Sequence, residues 1–209
     1  MAAYKSTAAA LNAWICFEDE AGQGLMPPHG RTWGARGATP VVKVRTAGGG
    51  KRVSVAGLIA FRLQHPDQVR CIYRTLVYHR RKHEPKGFDE DRFAQLLDDA
   101  HQQLGGPIVL VWDNINTHTS ARMADFIQTR KWLTVYRLPT YAPELNPVEG
   151  VWSAMKSGLV NLAKRDVDQL LKIVKSRLRR LQYRPATLAG FLAKTELDLE
   201  PLTSLPKAL

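Results

Sequence analysis

The chain has 209 residues, 44% of them apolar and 23% charged, with 15 Gly and 12 Pro, which excludes disorder and collagen-like repeats and leaves a folded chain of one or two domains. Its 30 Lys and Arg outnumber 19 Asp and Glu for a net +11, a surplus that attracts polyanions, nucleic acid foremost among them in the cytoplasm. The longest early uncharged run, residues 6–17, is broken by Asn12 and meets Glu18, Asp19 and Glu20; it is too short for a membrane span and lacks the cleavage region of a secretion signal. Cys16 and Cys71 both lie in apolar, strand-like runs, so packed thiols of a reduced cytoplasmic protein are expected rather than a disulfide.

In chain order, the apolar residues 13–17 predict a buried strand that the following acidic trio ends. Residues 22–40 hold five Gly and three Pro and read as turns, with Arg31, Thr32, Trp33 and Gly34 setting a cation and an aromatic among them. Residues 41–45 alternate loosely, Gly48, Gly49 and Gly50 make a flexible turn, and 53–61 resume an apolar run, together a hairpin pattern. Residues 69–78, rich in β-branched and aromatic side chains, predict a third core strand. The period then turns helical: Phe93, Leu96, Leu97, Ala100 and Leu104 share one face, and Gly105 and Gly106 stop it. Residues 108–112 form a short buried strand ending at Asp113, 120–129 a helix through Met123, Phe126 and Ile127, and 133–138 another strand.

Asn146 and Pro147 open a helix that buries Val148, Val151, Trp152, Met155 and Leu159. A further helix from Asp166 buries Val167, Leu170, Leu171, Val174, Leu178 and Leu181. Eight Lys and Arg against two Asp between positions 164 and 184 make its outer face strongly positive. Three strands, helix, strand, helix, strand and then helices predict an α/β fold with a mixed five-stranded sheet flanked by helices. Residues 1–12 read as a leader, 13–190 as the folded domain and 191–209 as an acidic tail.

Asp19 and Asp113 each stand at the C-terminal end of an apolar strand, the edge where ligands collect in open α/β sheets. Glu149, in the first turn of a helix entered from the same side, is positioned to join them. Three converging carboxylates need a cation, and an all-oxygen set suits Mg²⁺ or Mn²⁺. Two such ions clamp the attacking and leaving oxygens of an in-line phosphoryl displacement. Each residue also has a plainer explanation. A strand-end Asp commonly serves a turn or cap, and Asn146, Pro147 and Glu149 match a capping box. Glu18, Glu20, Asp125 and Glu144 remain alternatives by composition. His79, His83 and His118 lack zinc spacing, the Ser residues lack a nucleophile elbow, and the Gly triplet is not a phosphate-binding loop. Trp112, Trp132 and Trp152 fall in apolar stripes and read as core, whereas Trp33 beside Arg31 is the aromatic suited to DNA contact.

Four motifs, Phe17-Glu18-Asp19-Glu20-Ala21-Gly22, Arg31-Thr32-Trp33-Gly34, Trp112-Asp113-Asn114 with His118, and Tyr141-Ala142-Pro143-Glu144-Leu145-Asn146-Pro147-Val148-Glu149-Gly150-Val151-Trp152, occur in one order. Together they resemble the catalytic domain of Tc/mariner-like DDE transposases, specifically the bacterial insertion-sequence branch, over about residues 13–190. The resemblance implies an RNase H-like fold, with Asp19, Asp113 and Glu149 as the catalytic and metal-binding triad. It also implies two Mg²⁺ or Mn²⁺ ions per site, Asp19 bridging both, with Asp113 and Glu149 holding one each. The 35 residues between Asp113 and Glu149 fall within that family's range. The implied chemistry is hydrolytic DNA cleavage at transposon ends followed by strand transfer, in a homodimer on DNA clamped around Arg31, Thr32 and Trp33.

Arg31, Trp33, Lys51, Arg52, Lys156, Lys172, Lys175 and Arg179 are the candidate DNA contacts. Family members usually carry an N-terminal helix-turn-helix region, and about a dozen residues precede the first strand here; the chain reads as the second product of a split gene, with a separate helix-turn-helix polypeptide as partner, as a truncated copy, or as a piece of a longer protein. Two other readings fit the same residues: a DNA-binding remnant that no longer cuts, and an RNase H-like nuclease acting on RNA–DNA hybrids or branched DNA.

Overall fold

The computed structural model of the chain describes residues 2–28, 30, 33–37, 50–139, 142–160, 162 and 164–195. Five strands form one sheet: β1 (Trp14–Gly24), β2 (Arg52–Arg62), β3 (His65–Tyr78), β4 (Ile108–Trp112) and β5 (Leu133–Arg137). Their order is β3-β2-β1-β4-β5. The first three strands form an antiparallel meander, and β4 and β5 add in parallel to β1 and to each other. Parallel additions require crossovers, which α2 (Glu90–Leu104), α3 (Asn116–Thr119) and α4 (Ala121–Thr129) supply. The mixed five-stranded sheet with flanking helices follows the sequence pattern.

β1 differs from expectation. It does not end at Glu18 but continues to Gly24, paired with β2 from Ile15–Phe61 to Gly24–Arg52. The acidic trio is thus inside a strand, and alternation sends Glu18 and Asp19 to opposite faces. Residues 41–45, the first arm of the expected hairpin, lie outside the described residues.

Two cores sandwich the sheet. Ile15, Phe17, Val109 and Val111 pack beneath α1 (Ala2–Leu11), α5 (Val148–Ser157), α6 (Val167–Gln182) and α7 (Pro185–Ala193). Trp14, Cys16, Leu110 and Trp112 pack beneath α2 and α4. The leader residues form α1, whose Tyr4 ring meets Phe17 edge-on at 6.1 Å. The stripe read from sequence in α2 is buried, Phe93, Leu96, Leu97, Ala100 and Leu104; in α6 Val167, Leu170, Val174 and Leu178 are buried, while Leu171 and Leu181 are half-buried at its edge. Asp89 caps α2 through Arg92 N, Gly105 closes it with φ +64°, and Asp166 caps α6 through Gln169 N. Both cysteines are buried thiols, which burial pushes well up for Cys16 and up to about 12 for Cys71.

Lys164 departs from the outward positive face: it is 1% exposed, and its Nζ donates to the carbonyl of Leu159 at 3.3 Å. No helix among the described residues is long and apolar enough to cross a membrane.

Candidate active site

Asp19, Asp113 and Glu149 line one cavity of about 430 Å³, with Asn114, Asn146, Leu138, Pro139, Ala142 and Pro143 in its wall. Asp19 comes from β1. The parallel register pairs Phe17 with Val111, so two residues further Asp19 is level with Asp113, just past β4. Glu149 arrives on the first turn of α5. What aims that helix is Asn146, buried at its entrance: Nδ2 donates to the Glu18 carbonyl at 2.9 Å, and Oδ1 accepts from Val148 N at 3.1 Å. The expected capping box is not formed. Asn146 accepts from Val148 rather than Glu149, and the Glu149 carboxylate makes no hydrogen bond among the described residues. Glu149 is therefore free of the capping duty that was its alternative explanation.

The carboxylates differ in their environments. Burial, together with the charge of Glu149, pushes Asp19 up to about 7 against the opposing hydrogen bond from Trp152. Trp152 Nε1 donates to Asp19 Oδ2 at 3.0 Å. Asp113 is held below the usual carboxylate range, chiefly by the hydrogen bond from His118. Its Oδ1 accepts from His118 Nδ1 at 2.9 Å and Ile115 N at 3.2 Å. No Lys or Arg among the described residues forms an ion pair with any of the three. The donor set, hard carboxylate oxygens facing one cavity without a compensating cation, fits a divalent ion such as Mg²⁺ or Mn²⁺. The side chains stand around the cavity rather than drawn together: among the described residues no trio of His, Cys, Asp or Glu is grouped to hold an ion as it stands.

Of the other acidic candidates, Glu18 is buried on the opposite face, and burial and the neighbouring carboxylates push it well up. Glu20 is half-buried and also raised by burial. Asp125 and Glu144 are exposed and not part of the cavity wall.

Two site features escaped sequence reading. Trp152 is a core residue as expected, yet it also holds Asp19. Gly57, paired with Asp19 across β1–β2, makes room for it; a Cβ there would stand 2.9 Å from the Trp152 ring. His118 is in contact with Asp113, and its signal was the five-residue spacing after a strand-end Asp.

The candidate DNA contacts divide by place. Trp33 is fully exposed, while Arg31 lies outside the described residues. Lys156 shares a groove with Glu149, Trp152 and Gly30, next to the carboxylates. Lys172, Lys175 and Arg179 line a separate open groove with Arg180, Tyr73 and Tyr183. Lys51 is half-buried just before β2. Arg52 is exposed, but its Nε donates to the Lys86 carbonyl at 2.9 Å.

The mixed five-stranded sheet with helices on both faces, Asp19 inside β1 and Asp113 just past β4, is an RNase H-like fold. Residues 14–171 match the DDE superfamily endonuclease family, and the chain belongs to that family. No curated protein sequence matches it. Among solved structures the fold is similar to the Mos1 transposase paired-end complex with left transposon end (TM-score 0.57, 16% identity, 94% of this chain and 60% of that one). It is also similar to the mariner Mos1 paired-end complex with Mg (TM-score 0.60, 16% identity, 87% and 53%). A third match is the Mos1 catalytic domain with Raltegravir and Mg (TM-score 0.51, 15% identity, 92% and 90%). The chain thus spans 60% of the length of the first of these proteins.

Proposed function

We propose that the chain is the catalytic domain of a Tc/mariner-like DNA transposase of the bacterial insertion-sequence branch, with Asp19, Asp113 and Glu149 as its catalytic carboxylates. The observation that carries this reading is that three carboxylates, from β1, the end of β4 and α5, line one cavity, with no Lys or Arg pairing them among the described residues. Two divalent ions, when bound there, supply Lewis-acid stabilisation of the attacking and leaving oxygens of a phosphodiester displacement. Asp19, Asp113 and Glu149 would hold the ions, Asp19 shared by both and Asp113 and Glu149 serving one each, as the family resemblance implies. Trp152 keeps Asp19 turned into the cavity, and Asn146 fixes the approach of Glu149.

The basic groove on α6 and the nearby Lys156 serve the sugar-phosphate backbone, with Trp33, Arg31, Lys51 and Arg52 as further contacts. The substrate is DNA, transposon ends and then target, held by two copies of the chain and brought to its ends by a separate helix-turn-helix polypeptide. That all three carboxylates face the cavity favours a working nuclease over a DNA-binding remnant.

The test is nicking of supercoiled plasmid, and of duplexes carrying the inverted repeats that flank the chain's own gene, in Mg²⁺, Mn²⁺ or EDTA. Cleavage is expected with either ion and lost in EDTA and in Asp113→Ala. Equal cleavage by Asp113→Ala overturns the assignment, and preference for RNA–DNA hybrids redirects it to another nuclease class.

A further inference from the structure

Behind Asp113, on the α2 and α4 side of the sheet, a second acidic and basic pair is buried. Glu18 is 1% exposed and His118 2%. His118 presents one nitrogen to each carboxylate: Nδ1 lies 2.9 Å from Asp113 Oδ1, and Nε2 lies 3.4 Å from Glu18 Oε2. The ring has no room to turn. It stacks on Trp112 at 3.9 Å with the planes 6° apart, and Phe93 meets it edge-on at 4.8 Å. Neither Glu18 oxygen nor His118 Nε2 has a hydrogen-bond partner among the described residues, so the two groups face each other at 3.4 Å as an ion-pair contact.

We propose that Glu18 and His118 are a positioning pair for Asp113: His118, braced from behind by Glu18, donates Nδ1–H to Oδ1 and fixes how Asp113 presents its other oxygen to the cavity. The inference rests on the reading of Asp113 as an ion ligand.

The direction of the bond follows from the acceptor. An ionised carboxylate offers only acceptor sites, and Oδ1 already takes the Ile115 N–H, so Nδ1 must be the donor. Two donors on Oδ1 leave Oδ2 without a bond among the described residues, the arrangement a ligand oxygen needs. Burying a carboxylate and an imidazole is costly, and apolar residues of similar volume serve stability as well or better. A device that orients a ligand accounts for the polar pair being there; outer-shell partners of ligating groups commonly play this part. β1 thus serves the site on both faces, Asp19 toward the cavity and Glu18 toward the brace.

The experiment measures Mn²⁺ binding to the full chain by electron paramagnetic resonance of the free ion, in the parent, Asp113→Asn, His118→Phe, His118→Asn and Glu18→Gln. His118→Phe is expected to weaken Mn²⁺ binding by about 10- to 100-fold with its thermal midpoint near the parent's. His118→Asn, whose amide N–H takes the place of Nδ1–H, is expected to bind close to the parent. Glu18→Gln is expected to fall between the two. A structural role alone does not restore binding in the Asn variant.

Binding by His118→Phe as tight as the parent's, while Asp113→Asn loses the ion, overturns the positioning pair and leaves the site reading standing. Parent-like binding by Asp113→Asn, or no Mn²⁺ binding by the parent, overturns both. Should His118→Phe fail to fold, the ¹⁵N shifts of His118 in the unmutated protein decide: a protonated Nδ1 is expected, and a bare Nδ1 overturns the proposal.

Discussion

Asp19 and Trp152 set the chemistry of the cavity at the level of single atoms. In the metal-free protein Asp19 is raised from 3.8 to about 7, first by burial and then by Glu149, so the native state keeps a proton that the unfolded chain has released. Stability therefore falls as pH rises between those two values, by roughly 4 kcal/mol from this group. Urea unfolding in EDTA from pH 4 to 8 is expected to show that decline, and Asp19→Asn to remove its share. Trp152 opposes the shift by donating to Oδ2. Trp152→Phe keeps the ring in the core but loses the donor, so the Asp19 pKa rises further and, under the proposed function, the acid limb of the cleavage profile in Mg²⁺ is expected to move to higher pH. An unchanged profile in Trp152→Phe shows that the bond does not govern the group.

Among elements, the contact of α5 with the sheet is the one on which the site depends. Gly57 in β2 sits beside Asp19 in register, and the Trp152 ring occupies the space that a side chain would fill. Gly57→Val forces that ring away; the expected cost is about 1–3 kcal/mol, read by denaturant unfolding, with a change in tryptophan fluorescence as the ring leaves Asp19. Helix ends are simpler, because their capping is local. Asp89 accepts from Arg92 N at 3.0 Å at the start of α2, and Asp89→Ala is expected to cost about 1 kcal/mol without affecting Mn²⁺ binding. The same measurement on both variants separates packing that serves the site from packing that serves only the fold.

Across the whole molecule, the positive charge is unevenly used. Lys156 stands in the groove that includes Glu149, whereas Lys172, Lys175 and Arg179 lie in a second groove formed by α6 and the β3 residue Tyr73. β3 is an edge strand, two places from β1, so the α6 groove is offset from the carboxylates across the sheet. A duplex reaching both grooves releases counterions at each phosphate contact, and three lysine or arginine contacts contribute about 2.7 to the slope of log K against log salt. The triple variant Lys172→Ala, Lys175→Ala, Arg179→Ala is expected to lose about that much slope in fluorescence-anisotropy titrations. Retention of the full slope removes α6 from the DNA-binding surface.

The sequence by itself determined the elements whose signals are local. The 3.6-residue stripes of α2 and α6, the five-residue apolar run of β4 and the turn residues around Gly105 all depend on near neighbours in the chain, and the structure contains them where the pattern lies. Asp113, just past β4, could be named as a candidate for the same reason, whereas Asp19, read as a strand-end acid, lies inside β1. What required the tertiary structure was every relation between distant positions. That β1 runs through its acidic trio, and so divides Glu18 from Asp19, depends on ten paired residues of β2. That Asn146 binds the Glu18 carbonyl rather than capping Glu149, and that His118 faces two carboxylates, depends on separations of 128, 5 and 100 residues closed by the packing of helices on the sheet. Lys164, one of eight cations in a basic stretch, is buried because the chain folds over it. Hydrophobic periodicity reports which face of an element is covered; it carries no record of which distant polar group arrives to meet it.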